Sequence, residues 1–319
     1  MPVTWSVSRD QVLHTCERRY YFEYVVSARI NSRDQTLKEI AFLKKLTTIP
    51  MWQGEVFHSV VANSIKRLRR GESLLSKDWL SRLKKKIESE WAFSKSRSFR
   101  DQPRLIDKDG GLALFEHEYD EELGEKNSEV VLQSLEALIN RFTAWVEHTE
   151  LKKVVQGARQ IWIEPGIYGS HAPGFVTNDV QVIAKVDLAL LTPDGKFKIF
   201  DWKTGVPSSI QLQQISQAEF QIGVYQLWPH LTLGYPLEAI EAHLIYFKGE
   251  PIQHQTFCID QNQREYTLSL IRRSIARVQR FSSTDGEVKL SLEDFDFATS
   301  VRTCQQCKFK RLCQRVLET

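Results

Sequence analysis

Hydrophobic positions along the chain change their period part of the way through. Near the start, Val12, Leu13, Cys16 and Tyr20 recur at helical spacing behind Ser8-Arg9-Asp10-Gln11, which has the form of a capping box. The pattern predicts an N-terminal helix with Cys16 on its inner face. Residues 51–70 read as a second helix, with Gly54, His58, Val61, Ile65 and Leu68 along one stripe. Helical spacing returns over residues 77–91 and 128–146, the latter aligning Val131, Leu135, Leu138, Phe142 and Trp145. After Gly157 the period drops to two, and residues 159–164 and 180–191 alternate and are rich in β-branched and aromatic side chains. Thr192-Pro193-Asp194-Gly195 supplies turn chemistry, predicting an antiparallel hairpin between 180–191 and 196–203. A helix over 211–228 that stops at Pro229, strands at 241–247 and 253–259, and a basic helix over 263–280 complete the pattern. The expected fold class is α/β, a mixed central sheet flanked by helices.

Composition narrows the reading. With 319 residues, 42% of them hydrophobic, and 8 tryptophans, the chain can bury a sizeable core. No apolar run approaches the ~20 residues needed to cross a bilayer, so a soluble, cytoplasmic protein without a membrane partner is expected. A formal net charge of +3 decides little, but its distribution is uneven. Lys66-Arg67-Leu68-Arg69-Arg70 and Lys84-Lys85-Lys86 make a basic stretch, followed by an acidic one with Glu116, Glu118, Asp120, Glu121, Glu122 and Glu125. Such runs are ordinarily solvated helix faces; the alternative is one face for a polyanion. No Gly-x4-Gly-Lys-Ser/Thr phosphate loop is present, so any helicase would be a separate protein.

Four of the five cysteines sit at the chain ends: Cys16 alone, then Cys304, Cys307 and Cys313 as Cys-x2-Cys-x5-Cys. Thiolates so spaced can converge on one soft ion or cluster, which would join the termini. The expected organisation is one body over 1–319 with a helical elaboration at 62–150 and a cysteine module made of 1–30 and 300–319. Four thiolates also satisfy a structural tetrahedral Zn²⁺. Cys258, beside Phe257 on an expected strand, reads as a buried thiol rather than a ligand.

The third pattern carries chemistry. Alternation puts Asp201 and Lys203 on one face of a strand and Trp202 on the other, while Asp187 lies opposite the apolar run of the partner strand. An isolated Asp-x-Lys is ordinarily a surface ion pair. Here it ends the apolar strand Phe197-Lys198-Ile199-Phe200, where such a pair has no evident reason to be. Two carboxylates brought close need a cation between them, and oxygen ligands with open positions suit Mg²⁺ or Mn²⁺. Gln221 and Tyr225, i and i+4 on the next helix, can face the same site. His58 on its apolar stripe fits a core histidine. Arg18, Arg19, Tyr20 and Tyr21 join cationic and stacking groups, and Lys66, Arg67, Arg69, Arg70, Arg272 and Arg273 are basic helix positions; all are candidate nucleic-acid contacts.

Taken in order, these residues resemble the PD-(D/E)XK nuclease superfamily in its RecB-like branch. The resemblance rests on Ser6, Ser8 and Arg9, then Cys16-x-Arg18-Arg19-Tyr20-Tyr21-Phe22, Gly54-x3-His58, Asp187, Asp201-Trp202-Lys203-Thr204-Gly205, Gln221-x3-Tyr225 and the three-cysteine tail. It implies that His58, Asp187, Asp201 and the main-chain carbonyl of Trp202 bind Mg²⁺ or Mn²⁺, that Lys203 is the catalytic lysine, and that Gln221 and Tyr225 serve the site or the DNA. It also implies a [4Fe–4S] cluster on Cys16, Cys304, Cys307 and Cys313, acting as a staple between the chain ends. Where relatives often carry Gly-x-x-Asp, this chain has Ala184-Lys185-Val186-Asp187. The expected activity is metal-dependent hydrolysis of DNA, single-strand or end-directed and exonucleolytic, in repair, recombination or antiviral defence. A separate helicase or defence-system protein is the expected partner. Alternatives are a non-cleaving DNA-binding or assembly subunit and an RNA-directed enzyme.

Overall fold

The apolar run ending in Asp201-Trp202-Lys203 forms a single strand, β6 (Phe197–Lys203), at the middle of a five-stranded sheet. The computed structural model describes residues 4–27, 29–108, 110–124, 126–166, 173–207, 211–212, 215–281 and 290–313. Glu125 and parts of the expected cysteine module, at 1–3, 28 and 314–319, lie outside the described residues. The chain folds as two compact units. The first comprises Met1–Val7, Gln53–Trp79 and Gln133–Ala276, and the second Ser8–Trp52, Leu80–Leu132 and Arg277–Thr319.

In the first unit the sheet runs β10 (Gln253–Phe257), β9 (Ile240–Tyr246), β6, β5 (Leu188–Leu191), β2 (Gln160–Ile163). β6 and β9 are parallel, with Asp201 opposite Leu244 and Lys203 opposite Tyr246; the other pairs are antiparallel. The expected hairpin forms between β5 and β6, but the long strand expected over 180–191 is two strands. Its first part, β4 (Val180–Ile183), belongs to a second sheet between β1 (Thr4–Trp5) and β3 (Gly174–Thr177). Asp187 therefore sits just before β5 rather than within a strand. The β3–β4 pair needs its glycine: a Cβ on Gly174 would lie 2.1 Å from the Val182 carbonyl oxygen, so only glycine lets β3 approach β4 this closely.

Period-two alternation along β6 sends its side chains to two helical layers. Trp202 faces α8 (Ser128–Glu147), its ring centroid 5.9 Å from Phe142 and 5.7 Å from Trp145. Phe197 faces the other side, 5.6 Å from Trp228 of α10 (Gln217–Leu233). Asp201 and Lys203 share the α10 side by parity. Helix α10 begins later than expected, at a capping box formed by Ser216 and Glu219, because backbone at 211–212 and 215–216 pairs as a two-stranded ladder, β7 and β8. It also runs through Pro229 to Leu233. The proline lacks one N–H, yet the burial of Phe220 to Pro229 holds the helix, which stops at Gly234 in the left-handed region (φ 77°).

The second unit is helical. Its core cluster includes Phe22, Phe42, Leu43, Phe99 and Phe309, with the rings of Phe22 and Phe309 stacked 5.0 Å apart. Helix α3 (Gln35–Leu43), which the sequence pattern did not predict, supplies Ile40, Phe42 and Leu43. The first helix, α1 (Val7–Thr15), ends before Cys16, so Cys16 is not on a helical face. Cys16 is extended (φ −166°) and caps α2 (Glu17–Tyr20), its Sγ accepting the Arg19 backbone N–H at 3.4 Å. Among the described residues no helix is long and apolar enough to cross a membrane.

Candidate active site and cysteine pocket

The carboxylate site assembles from three elements of the first unit. His58 comes from α4 (Ile49–Arg69), Asp187 from the link into β5, and Asp201 and Lys203 from β6. His58 Nδ1 is 3.1 Å from Asp187 Oδ1, and Asp187 Oδ2 accepts the Trp202 backbone N–H at 2.8 Å. Gly54, one turn before His58, faces Thr204: a Cβ there would be 3.5 Å from its Oγ1, an ordinary contact that an alanine could make. Lys203 Nζ lies 2.7 Å from Asp201 Oδ2 and donates to Gln221 Oε1 at 3.0 Å, and Gln221 Nε2 donates to the Tyr225 hydroxyl at 2.6 Å. His58, Asp187, Asp201, Lys203, Gln221 and Tyr225 thus stand together.

Asp201 is only 3% exposed, and its Oδ2 is buried without a hydrogen bond even though the lysine is at ion-pair distance. The Lys203 ammonium is the charge that offsets the burial of this oxygen. Burial raises the Asp201 carboxyl above its ordinary range; Lys203 pulls it back, and the charge of Asp187 adds to the rise. For Lys203, burial works against the ammonium, but Asp201 more than offsets it and the value is raised. Burial likewise opposes a charged His58, and the hydrogen bond and charge of Asp187 outweigh it, with Asp201 and Glu164 adding. The Tyr225 phenol is pushed well up by burial and stays neutral.

Glu164 is a site residue that the sequence pattern did not single out. Its N–H donates to the Asp187 carbonyl at 2.8 Å, extending the β2–β5 ladder by one residue, and its backbone is left-handed (φ 41°). Though the side chain is exposed, the local desolvation and the charge of Asp187 both raise its carboxyl, while His58 and Lys66 lower it. The available signal was positional: Ile163 pairs with Leu188, so the next residue out on β2 meets Asp187.

In the second unit Cys16, Cys304, Cys307 and Cys313 line one pocket together with Arg18, Arg19, Phe22, Phe309 and Lys310. Burial pushes the Cys307 thiol up to about 11, with Arg19 lowering it and Cys16 and Cys313 raising it. Cys258 lies elsewhere and, contrary to expectation, is exposed, because β10 ends at Phe257. Among the described residues no group of three or more His, Cys, Asp or Glu side chains is arranged to hold a metal ion as it stands. The donor sets nevertheless fit two kinds of ion: an imidazole and neighbouring carboxylates for a hard cation, and four sulfurs around one pocket for a soft centre.

The remaining candidate contacts fall into three groups. Arg18 is buried, bonded to the Phe295 carbonyl at 3.1 Å and stacked 3.8 Å over Phe297; Tyr20 is buried, Arg19 pairs with Glu23, and Tyr21 sits 4.9 Å from the Phe295 ring. Of these four, Arg18 and Arg19 line the cysteine pocket, and Tyr20 and Tyr21 pack against other aromatic rings. Arg67 and Arg70 pair with Glu72, and Arg69 bonds the carbonyls of Val155 and Gln156. Lys66, Arg272 and Arg273 are exposed.

The chain is similar to known proteins in sequence and in structure. A sequence model of the PD-(D/E)XK nuclease superfamily matches residues 4–314. Among solved structures, a protein from Eubacterium rectale proposed to be an exonuclease aligns at 12% identity and TM-score 0.45, over 99% of this chain and 88% of its own. The protein SSO0001 aligns at 15% identity and TM-score 0.29, over 73% of this chain and 94% of its own. No curated protein matches. The family match spans the histidine, both aspartates, the lysine and all four terminal cysteines, and the chain belongs to the PD-(D/E)XK nuclease superfamily.

Proposed function

We propose that this chain is a divalent-metal-dependent DNA nuclease of the RecB-like branch, an exonuclease acting on single strands or free ends in repair, recombination or defence against foreign DNA. The observation that carries the reading is the clustering of the buried Asp201 carboxylate with Asp187, His58 and Lys203. His58, Asp187, Asp201 and the Trp202 carbonyl would hold Mg²⁺ or Mn²⁺, which supplies a polarised phosphate and an acidified water. Asp201 keeps Lys203 in its ammonium form, so the lysine offers a donor to developing charge on the phosphate rather than acting as a base. Gln221 fixes the direction of that ammonium, and Tyr225 fixes Gln221.

For the second unit the proposed resident is a [4Fe–4S] cluster on Cys16, Cys304, Cys307 and Cys313. The four sulfurs lining one pocket support it, and the Arg19 N–H to Cys16 Sγ is the kind of contact that steadies a ligating thiolate.

The test is cleavage of end-labelled single- and double-stranded DNA and of RNA by anaerobically purified protein with Mn²⁺, Mg²⁺ or EDTA, beside Asp201→Ala. Metal-dependent cutting of DNA that Asp201→Ala abolishes is the expected result. No cutting under any condition would instead favour an assembly subunit. Iron and acid-labile sulfide in the purified protein are expected; zinc alone would replace the cluster by a structural ion.

A further inference from the structure

Burial alternates without a break before the site. Val180, Val182, Ala184, Val186 and Leu188 are buried, while Gln181, Ile183, Lys185 and Asp187 lie on the open side. Lys185 lies in the link between β4 and β5, two residues before Asp187, and is exposed. A second lysine follows β9. Tyr246 stands opposite Lys203 in the parallel ladder, the Phe247 N–H donates to the Lys203 carbonyl at 2.9 Å, and Lys248, two residues past Tyr246, is exposed. On α4, Lys66 is exposed about 12 Å along the axis from His58, and the carboxyl of Glu164 feels both. Lys185 and Lys248 make no ion pair or side-chain hydrogen bond among the described residues. The neighbouring Arg67, Arg69 and Arg70, by contrast, are all engaged.

Helix α4, the link into β5 and the turn after β9 thus each carry an exposed lysine near the carboxylate site. We propose that Lys66, Lys185 and Lys248 form a phosphate track that carries a single nucleic-acid strand across Asp187 and Asp201, an inference that rests on the nuclease reading above. A lysine head is a compact point charge with rotatable donors, suited to phosphate oxygens and not to base edges, so the track holds any sequence.

The experiment measures binding of a fluorescein-labelled oligothymidylate in EDTA as a function of salt, and cleavage of the same strand with Mn²⁺, for wild type and for Lys66→Gln, Lys185→Gln and Lys248→Gln singly and together. Each single-strand phosphate contact contributes about 0.7 to the slope of log K against log salt, so the triple variant should lose about 2 and each single variant about 0.7. KM should rise roughly tenfold or more in the triple variant with kcat nearly unchanged, the signature of lost uniform binding. A wild type that cuts, with slopes and KM unchanged in all variants, overturns the track and leaves the nuclease standing. A wild type that neither binds nor cuts overturns both. The single variants keep the test valid should the triple variant fold poorly.

Discussion

His58 Nδ1 lies 3.1 Å from Asp187 Oδ1, which sets the imidazole of α4 against the carboxylate at the start of β5. Because this raises the folded-state pKa of His58, the pair's stabilising contribution is complete below about pH 6.5, the unfolded value, and fades as the pH rises through the raised one. Metal binding has the opposite slope, since a ligating imidazole must be neutral. Melting temperatures without metal should show the gap between wild type and His58→Gln widest near pH 6 and closing toward alkaline pH. Mn²⁺ affinity should climb over the same interval in wild type and only weakly in the variant. Parallel profiles for the two proteins would show that the pair does not titrate as described.

Asp201 predicts a separation between stability and metal response. Its buried carboxylate is disfavoured by burial and by Asp187, and a divalent cation relieves both. Mn²⁺ should raise the melting temperature of wild type, equivalent to about 2.7 kcal/mol at a hundred times its dissociation constant. Asp201→Asn should abolish that rise together with cleavage, while remaining folded without metal. A full Mn²⁺ shift in Asp201→Asn would place the ion elsewhere.

The C-terminal segment is anchored by more than its cysteines. Phe309 is fully buried against Phe22, the Tyr119 hydroxyl donates to the Lys308 carbonyl at 2.6 Å, Lys308 Nζ reaches the Lys44 carbonyl at 2.8 Å, and Arg311 pairs with Glu118 at 2.6 Å. Phe309→Ala should therefore cost about 3–5 kcal/mol, close to unfolding the unit. If the proposed cluster is present, Cys307→Ser should lose its iron yet melt within a few degrees of metal-free wild type. A Cys307→Ser protein less stable than Phe309→Ala would show that the metal centre, not the aromatic core, holds the tail.

Legibility in the sequence followed how local the cause was. The strand bearing Asp201 and Lys203 was readable because alternation and the apolar run Phe197 to Phe200 act within a few residues. The start of α10 was misplaced because a ladder between 211–212 and 215–216 competes with helix there, and its end because buried packing overrides Pro229. The helical spacing around Cys16 does not reveal that its own backbone turns extended to cap α2. Glu164 enters the site through the β2–β5 register, which no single stretch encodes.

Gly174 tests the second sheet. With 2.1 Å between the would-be Cβ and the Val182 carbonyl oxygen, Gly174→Ala must push β3 off β4, breaking the ladder that precedes Lys185 and Asp187. A loss of roughly 1–3 kcal/mol, the range of overpacked sites, is expected by chemical denaturation. A neutral substitution would mean that β3 can move without cost.

Gln221 joins Lys203 to Tyr225 through two hydrogen bonds, one accepted from the ammonium and one donated to the phenol. The amide is thus the link through which Tyr225 acts on the direction of Lys203 in this chain of hydrogen bonds. Gln221→Ala should lower kcat by one to two orders of magnitude, and Tyr225→Phe by less, with KM for DNA little changed in either. Because both act on one ammonium, Tyr225→Phe should have almost no further effect on kcat when added to Gln221→Ala. Strictly additive losses would mean that Tyr225 reaches the reaction by a route that bypasses Gln221, and the phenol would then have to contact the nucleic acid itself.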